Sequence, residues 1–349
     1  MEGLFTLLVL FTLLSFHAIN LVEGQNPSFD AIYQFGDSLS DTGNDIILHG
    51  GCDKSPYGDT YFKRATGRCS DGLLMVDYFA QAFNVPLLNP YLDQSADFSR
   101  GANFAVAGAP AMATSNISLS SQIDWFKSLL SKSCSNQADC KQKLGNSLFI
   151  VGEIGGNDYN GPAFGGTNPG SLRSLVPQVI QAIISGVKQL IDLGASRIVV
   201  PGNFPAGCLT IYLVKYETSD KNAYDEFGCL KDWNDLASYH NGALQEALKT
   251  LEQQHSDVKI AFVDYFPAFQ NIYLNAASLG FDKDGIHKAC CGAGDNEYNW
   301  DQNKYCANPG VGSCPDPNVR MVWDGVHLTQ HAYQIIADQV MKQFVPLIS

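Results

Sequence analysis

The chain is expected to fold as α/β, a mainly parallel sheet covered by helices on both faces, and two features of the sequence lead there. Short apolar runs closed by Gly, Pro or Asp alternate with longer runs whose apolar residues recur at helical spacing. A parallel sheet needs that alternation, because each crossover connection lays a helix over one of its faces. No internal repeat, low-complexity tract or break in composition divides residues 25–349, so they are expected to form one domain. At 349 residues and 45% hydrophobic, the chain carries enough apolar surface for a sizeable core.

Residues 1–24 read as a signal peptide rather than as part of the fold. Residues 4–16 are mostly Leu, Phe, Val and Thr, a run too short to span a bilayer, and Gly24 is a small residue at the expected cut before Gln25. The usual basic start is absent, with Glu2 in its place. After this segment the expected strands are 31–35, 102–106, 148–151, 198–201 and 259–263. The expected helices are 73–83, 120–131, 172–193 and 234–254, with 330–344 closing the chain. In the third of these, Val176, Val179, Ile180, Ile183, Val187 and Leu190 recur on one face and Gly194 supplies the stop.

Ten cysteines fit an oxidising compartment, and Asn116-Ile117-Ser118 is an acceptor for N-glycosylation. Cys290 and Cys291 are adjacent, Cys306 and Cys314 follow in a Gly/Pro/Asn-rich stretch, and no C-x-x-C pair occurs. The cysteines therefore read as structural, with no metal expected. Cys134 and Cys140 flank 135–139, a polar stretch expected to be a loop that a disulfide closes, and Cys208 could staple to Cys229. Spacing alone leaves the connectivity open. The formal charge of −13 argues against nucleic acid or an anionic membrane surface as the main partner.

Four stretches carry chemistry. The strand at 31–35 runs into Gly36-Asp37-Ser38-Leu39-Ser40-Asp41-Thr42-Gly43-Asn44, which sets Ser38 at the carboxyl end of a strand, where open α/β sheets bind their ligands. Taken alone, this is an ordinary polar turn. The far end of the chain adds Trp323-Asp324-Gly325-Val326-His327, an acid and an imidazole three residues apart. Gly108, at the end of 101–109, leaves its backbone N–H open to close approach. Asn157, in Gly155-Gly156-Asn157-Asp158, brings an amide to the end of the third strand. Parallel strands present their carboxyl ends at one edge, so these parts are expected to converge on one crevice.

In order and spacing, residues 35–44, 101–109, 155–158 and 324–327 resemble the sequence blocks of the plant GDSL esterase/lipases within the SGNH hydrolases. The resemblance extends through 200–208 and Cys290-Cys291-Gly292, and so covers essentially the whole chain after the signal segment. It implies a single-domain, flavodoxin-like three-layer fold with a central five-stranded sheet. Further, it implies Ser38 as nucleophile, His327 as general base and Asp324 as the group that holds the imidazole. The Ser38 and Gly108 N–H groups and the Asn157 amide would form the oxyanion hole. The chemistry asks for these types independently. A serine hydroxyl attacks only when an adjacent base takes its proton, and a carboxylate fixes the tautomer of that base. An α/β-hydrolase fits less well, because Gly36-Asp37-Ser38-Leu39-Ser40 lacks the second glycine of a Gly-x-Ser-x-Gly elbow.

The signal segment and the cysteines lead to the expectation of a secreted or vacuolar protein, a monomer with no cofactor and no stable membrane anchor, and the resemblance implies a carboxylic ester as its small-molecule substrate. Residues 66–72, 87–92 and 103–109 look like the branch holding alkaloid-ester and choline-ester esterases, which points to esters of specialised metabolites. Other readings are an acyltransferase with an alcohol acceptor, a lipase on longer acyl chains, and a catalytically silent secreted binding or defence protein. Tyr57, Tyr61, Phe62, Tyr159, Phe164 and Tyr212 are candidates to wall an aromatic substrate.

Overall fold

The computed structural model describes residues 27–349, so the expected signal peptide lies outside the described residues. In chain order the elements are β1 (Ala31–Phe35), α1 (Asn44–Leu48), α2 (Met75–Ala82), β2 (Gly101–Asn103), α3 (Leu119–Ser133), α4 (Gln137–Leu144), β3 (Ser147–Val151) and α5 (Gly156–Phe164). They continue with α6 (Pro169–Leu172), α7 (Val176–Leu193), β4 (Arg197–Pro201), α8 (Thr210–Lys215), α9 (Lys231–Gln254), β5 (Lys259–Val263), α10 (Tyr265–Asn275) and α11 (Gln330–Ile348). A two-residue antiparallel ladder joins Cys291–Gly292 to Gly312–Ser313.

The five strands form one parallel sheet in the order β2-β1-β3-β4-β5. Successive side chains along each strand enter opposite cores. Phe35, Phe149, Val151, Ile198 and Val200 join the apolar faces of α3, α7 and α9, while Ile32, Leu148, Ile150, Val199 and Val263 join those of α2, α10 and α11. All ten are buried, so both faces of the sheet are sealed, as the unbroken apolar strands require. The strand order reverses between β1 and β3, and Phe35 pairs with Val151 at the end of that ladder. The crevice outside such a switch point is where this topology binds ligands.

Several boundaries differ from the sequence expectation. The second strand is Gly101–Asn103 rather than 102–106. Beyond Asn103 the chain still leans on the β1 region, through Phe104 N–H to Gln34 O (2.7 Å) and Val106 N–H to Gly36 O (3.2 Å). Side chains take over the remaining backbone groups there: Asn103 Oδ1 accepts from Ala105 N, and the Asn44 amide donates to the Asn103 and Ala105 carbonyls. The long helix expected at 172–193 is broken into α6, a single 3₁₀ turn and α7, with Pro177 in the first turn of α7. Residues 135–139, expected as a loop, lead into α4, whose first turn is capped by Asn136 Oδ1 on Asp139 N (3.0 Å).

All ten cysteines are paired: Cys52–Cys69, Cys134–Cys140, Cys208–Cys229, Cys290–Cys314 and Cys291–Cys306. Both pairings considered from the sequence are formed. Asn116 is exposed on the turn before α3.

Candidate active site

The turn after β1 is fixed from several sides. Gly36 is required by close approach, because a Cβ there would sit 2.5 Å from Ser40 Oγ and 2.9 Å from Glu153 O. The Gln122 side chain on α3 grips the same residue twice, accepting from Gly36 N (2.9 Å) and donating to Gly36 O (2.8 Å). Asp41 binds four backbone donors: Oδ1 takes Gly43 N and Asn44 N (2.7 Å each), and Oδ2 takes Asp45 N (3.0 Å) and Ala107 N (2.9 Å). Burial pushes its carboxyl up to about 6 despite those donors. The last bond ties the serine turn to the loop carrying Gly108. That glycine has φ +79°, and no atom lies within 4 Å of where its Cβ would be. Neither Ser38 N–H nor Gly108 N–H has an acceptor among the described residues.

Asn157 lies in the first turn of α5, directly beyond β3. Its Nδ2 donates to Asp37 Oδ2 (3.1 Å) and Ala109 O (3.2 Å), and its Oδ1 accepts from Asn160 Nδ2 (3.2 Å). Both amide hydrogens therefore face protein acceptors, and an oxyanion would have to replace one of them. Asp158 Oδ2 and Oδ1 accept from Ala111 N (2.7 Å) and Met112 N (3.0 Å), which fastens α5 to the Gly108 loop. Asp37 is hydrogen-bonded to Glu153, and both are buried. Burial raises both carboxyls, Asp37 to about 6, and the charge of Asp37 raises Glu153 further.

Asp324 and His327 form a close pair. His327 Nδ1 lies 2.7 Å from Asp324 Oδ2, which also accepts from Tyr57 OH at 2.8 Å, and Asp324 Oδ1 accepts from Val326 N and His327 N. Burial alone would depress the imidazole, but the Asp324 carboxylate more than offsets this, and with Asp37 it holds His327 above its ordinary value. Asp324 is pushed up by burial, but the charge and hydrogen bonds of His327 together with the Tyr57 hydroxyl bring it below its ordinary value. His327 Nε2 is buried and has no hydrogen-bond partner among the described residues, and Ser38 Oγ makes none. Val326 lines the same cavity as Ser38, and His327 feels the charge of Asp37, so the two loops face one another, but Ser38 Oγ and His327 Nε2 are not hydrogen-bonded in this conformation; such bonds commonly tighten only when substrate arrives.

Beside Ser38 opens a cavity of about 80 Å³. Tyr159 and Tyr212, both singled out from the sequence, line it. The other four aromatic candidates do not. Tyr57 is bonded to Asp324, Phe164 lines a neighbouring open groove, and Tyr61 and Phe62 pack on each other with the Arg68 guanidinium over the Phe62 ring. Sequence reasoning missed Glu153, Asn203, Phe204 and Trp233, which also face this cavity. For Glu153 a signal was present, since an acid two residues after an apolar strand end is unusual in a position that becomes buried.

Comparison with known proteins places the chain in a family. The profile of the family described as GDSL-like Lipase/Acylhydrolase matches residues 32–340. Acetylajmalan esterase 1 of Rauvolfia serpentina is 39% identical, over 98% of this chain and 93% of that protein. Acetylajmalan esterase of the same plant is 40% identical, over 97% and 90% respectively. A GDSL esterase/lipase of Arabidopsis thaliana is 40% identical, over 88% and 89%. With a family profile spanning the sheet and every site loop, and relatives aligned almost end to end, the chain belongs to the GDSL esterase/lipase family and is a carboxylic ester hydrolase.

Proposed function

We propose that this protein hydrolyses esters of small specialised metabolites through an acyl-enzyme on Ser38. The observation that carries the reading is an Asp324–His327 pair whose Nε2 is unpartnered, on a loop that shares a cavity with Ser38 through Val326 and feels the charge of Asp37. His327 Nε2 takes the Ser38 proton as Oγ bonds to the ester carbon, and the tetrahedral oxyanion lies against Ser38 N–H, Gly108 N–H and the Asn157 amide. The two free backbone donors support this placement. Collapse breaks the bond to the alcohol, which leaves with the proton held by His327. Water then attacks the acyl-enzyme, giving its proton to His327, and Ser38 is regenerated as the acid departs. Asp324 stabilises the imidazolium in both halves.

The names of the Rauvolfia relatives, and their length-wide similarity, favour a metabolite ester over a triacylglycerol. Secretion with glycosylation at Asn116 fits five disulfides and the exposure of that residue. A fluorophosphonate probe should label Ser38, as located by peptide mass spectrometry, and Ser38→Ala should lose both labelling and hydrolysis of acetyl, aryl and long-chain esters. Labelling of another residue, or turnover retained in Ser38→Ala, would remove the serine mechanism.

A further inference from the structure

One polar side chain in the cavity beside Ser38 has no function in the folded protein. Asn203 is only 6% exposed, its Oδ1 is buried with no hydrogen-bond partner, and its amide makes no hydrogen bond to any described residue. Leaving a buried amide unpaired costs about 1–3 kcal/mol, so it calls for a reason. The position is built rigidly: Asn203 N donates to Asn241 Oδ1 (2.7 Å) and Asn241 Nδ2 donates to Asn203 O (3.0 Å). The walls around it are apolar or already satisfied. Phe204 stacks on Tyr265 and Trp233 packs edge-on to Tyr212, while Tyr159 and Tyr212 spend their hydroxyls on His240 and Asn160.

The place of the cavity relative to the reacting carbon follows from its lining. The carbon bonded to Ser38 Oγ carries three other groups: the oxyanion, the departing alcohol and the acyl chain. The oxyanion belongs against the backbone donors, and the departing alcohol must lie at His327 Nε2 to receive its proton. Ser38 and Asn157 line the cavity but His327 does not, which leaves the acyl chain to fill it. Size narrows the chain. A cavity of about 150 Å³ holds benzene, so the roughly 80 Å³ here takes about three or four heavy atoms beyond the carbonyl.

We infer that this cavity is the acyl site and that the Asn203 amide selects a short acyl group bearing a hydroxyl or keto oxygen. An amide presents a donor and an acceptor whichever way it is turned, and a hydroxyl can meet either. Binding an acyl group without that oxygen leaves Asn203 unpaired, and sites built to hydrogen-bond a substrate discriminate on that ground. The inference rests on Ser38 carrying the acyl group.

The test compares kcat/KM per fluorophosphonate-titrated site for the 4-nitrophenyl esters of acetate, butyrate, 3-hydroxybutyrate and octanoate. In the wild type 3-hydroxybutyrate should exceed butyrate by about tenfold or more, and octanoate should be the poorest. Asn203→Leu, similar in size but without the amide, should bring the 3-hydroxybutyrate/butyrate ratio to about one, and Asn203→Ser, which puts a hydroxyl in place of the amide, should retain part of the preference. Ala206→Leu, which fills the cavity, should lower butyrate relative to acetate by about tenfold. A wild-type ratio near one, or a ratio unchanged in either Asn203 variant, overturns the inference while leaving the esterase reading intact. Failure of the wild type to titrate at Ser38 overturns both.

Discussion

Ser38 sits on a turn leaving an interior strand of a parallel sheet, whereas Asp324 and His327 lie on a loop flanked by no strand of that sheet. On the serine side the holding groups are uncharged amides and buried carboxyls: Gln122 on Gly36, Asp41 on four N–H groups, and Asn103 on the Ser40 carbonyl. No disulfide touches that turn. The histidine side is held instead by cross-linked loops. Cys290 N and Cys291 N donate to the carbonyls of Val322 and Trp323 (3.0 and 2.7 Å), and Trp300 Nε1 donates to Asp324 O (3.0 Å). Tyr57, which reaches Asp324, sits inside the Cys52–Cys69 loop. Where a sheet supplies register, buried polar groups suffice to aim a side chain; where it does not, covalent closure substitutes for it.

Substitutions on each side test this contrast. The largest effect is expected from Asp324→Asn, which keeps the loop but puts the imidazole in the wrong tautomer, costing on the order of 10⁴ in kcat with little change in melting temperature. A loss under tenfold would mean that another group orients His327. Next comes Asn157→Ala. If its amide turns from Asp37 or Ala109 to the oxyanion, kcat should fall by roughly 10²–10³ with KM little changed. A lowered melting temperature with normal kcat per titrated site would make Asn157 a structural tie between β3 and the Gly108 loop.

The supports should separate by what they damage. Removing the Cys291–Cys306 closure, whose residues are 15 apart, by a double change to Ala should cost about 3 kcal/mol and lower kcat per titrated site. Asp41→Asn, which turns an NH₂ toward two backbone donors, should cost a similar amount of stability, on the order of 3 kcal/mol, and should weaken the Gly108 donor. Dithiothreitol then distinguishes them, since it should reproduce the first loss in the wild type and leave the Asp41 network untouched. Equal sensitivity of both sides to reductant would dissolve the contrast. The smallest effect is expected from Tyr57→Phe, a reduction of kcat by less than about tenfold, because Asp324 Oδ2 keeps its bond to His327.

The pH dependence belongs to the histidine side. His327 must be neutral to act as base, and it is held above its ordinary value, so the acid limb of kcat/KM should fall at a higher pH than a free imidazole gives, above about 6.5. The stability sign is separate. A raised imidazole contributes stability below its unfolded value and loses it as pH rises through the folded one, whereas Asp324, depressed, contributes above its unfolded value and loses it as pH falls.

Much of this arrangement was legible in the chain. All five strands were found because each is an apolar run closed by a breaker, and only β2 was misplaced, by side chains of Asn44 and Asn103 that no local pattern reveals. The loop expected at 135–139 overlaps the first turn of α4, and the helix offers no apolar stripe to recognise, because only Leu144 of its residues is buried. α5 was missed because Gly161 and Pro162 lie within it. Ser38, Asp324 and His327 stand out as candidates from a strand end and an Asp-x-x-His spacing, and their roles are what the family resemblance implies. Asn203 and Trp233 do not stand out, because they matter only through the cavity that β4, α8 and α9 enclose together.

The buried acids of the serine turn also alter how the whole molecule behaves in an electric field. Among the described residues eight Asp and Glu are buried, Asp37, Asp41 and Glu153 among them, against one buried arginine, Arg68, so the net negative charge that solvent meets is well below the formal −13. With those three carboxyls raised, fewer of them are ionised near pH 5 than the composition implies. The native protein should therefore focus above the composition-based isoelectric point of 4.8, and unfolding it in urea should bring the band back down as these groups regain water and their protons leave.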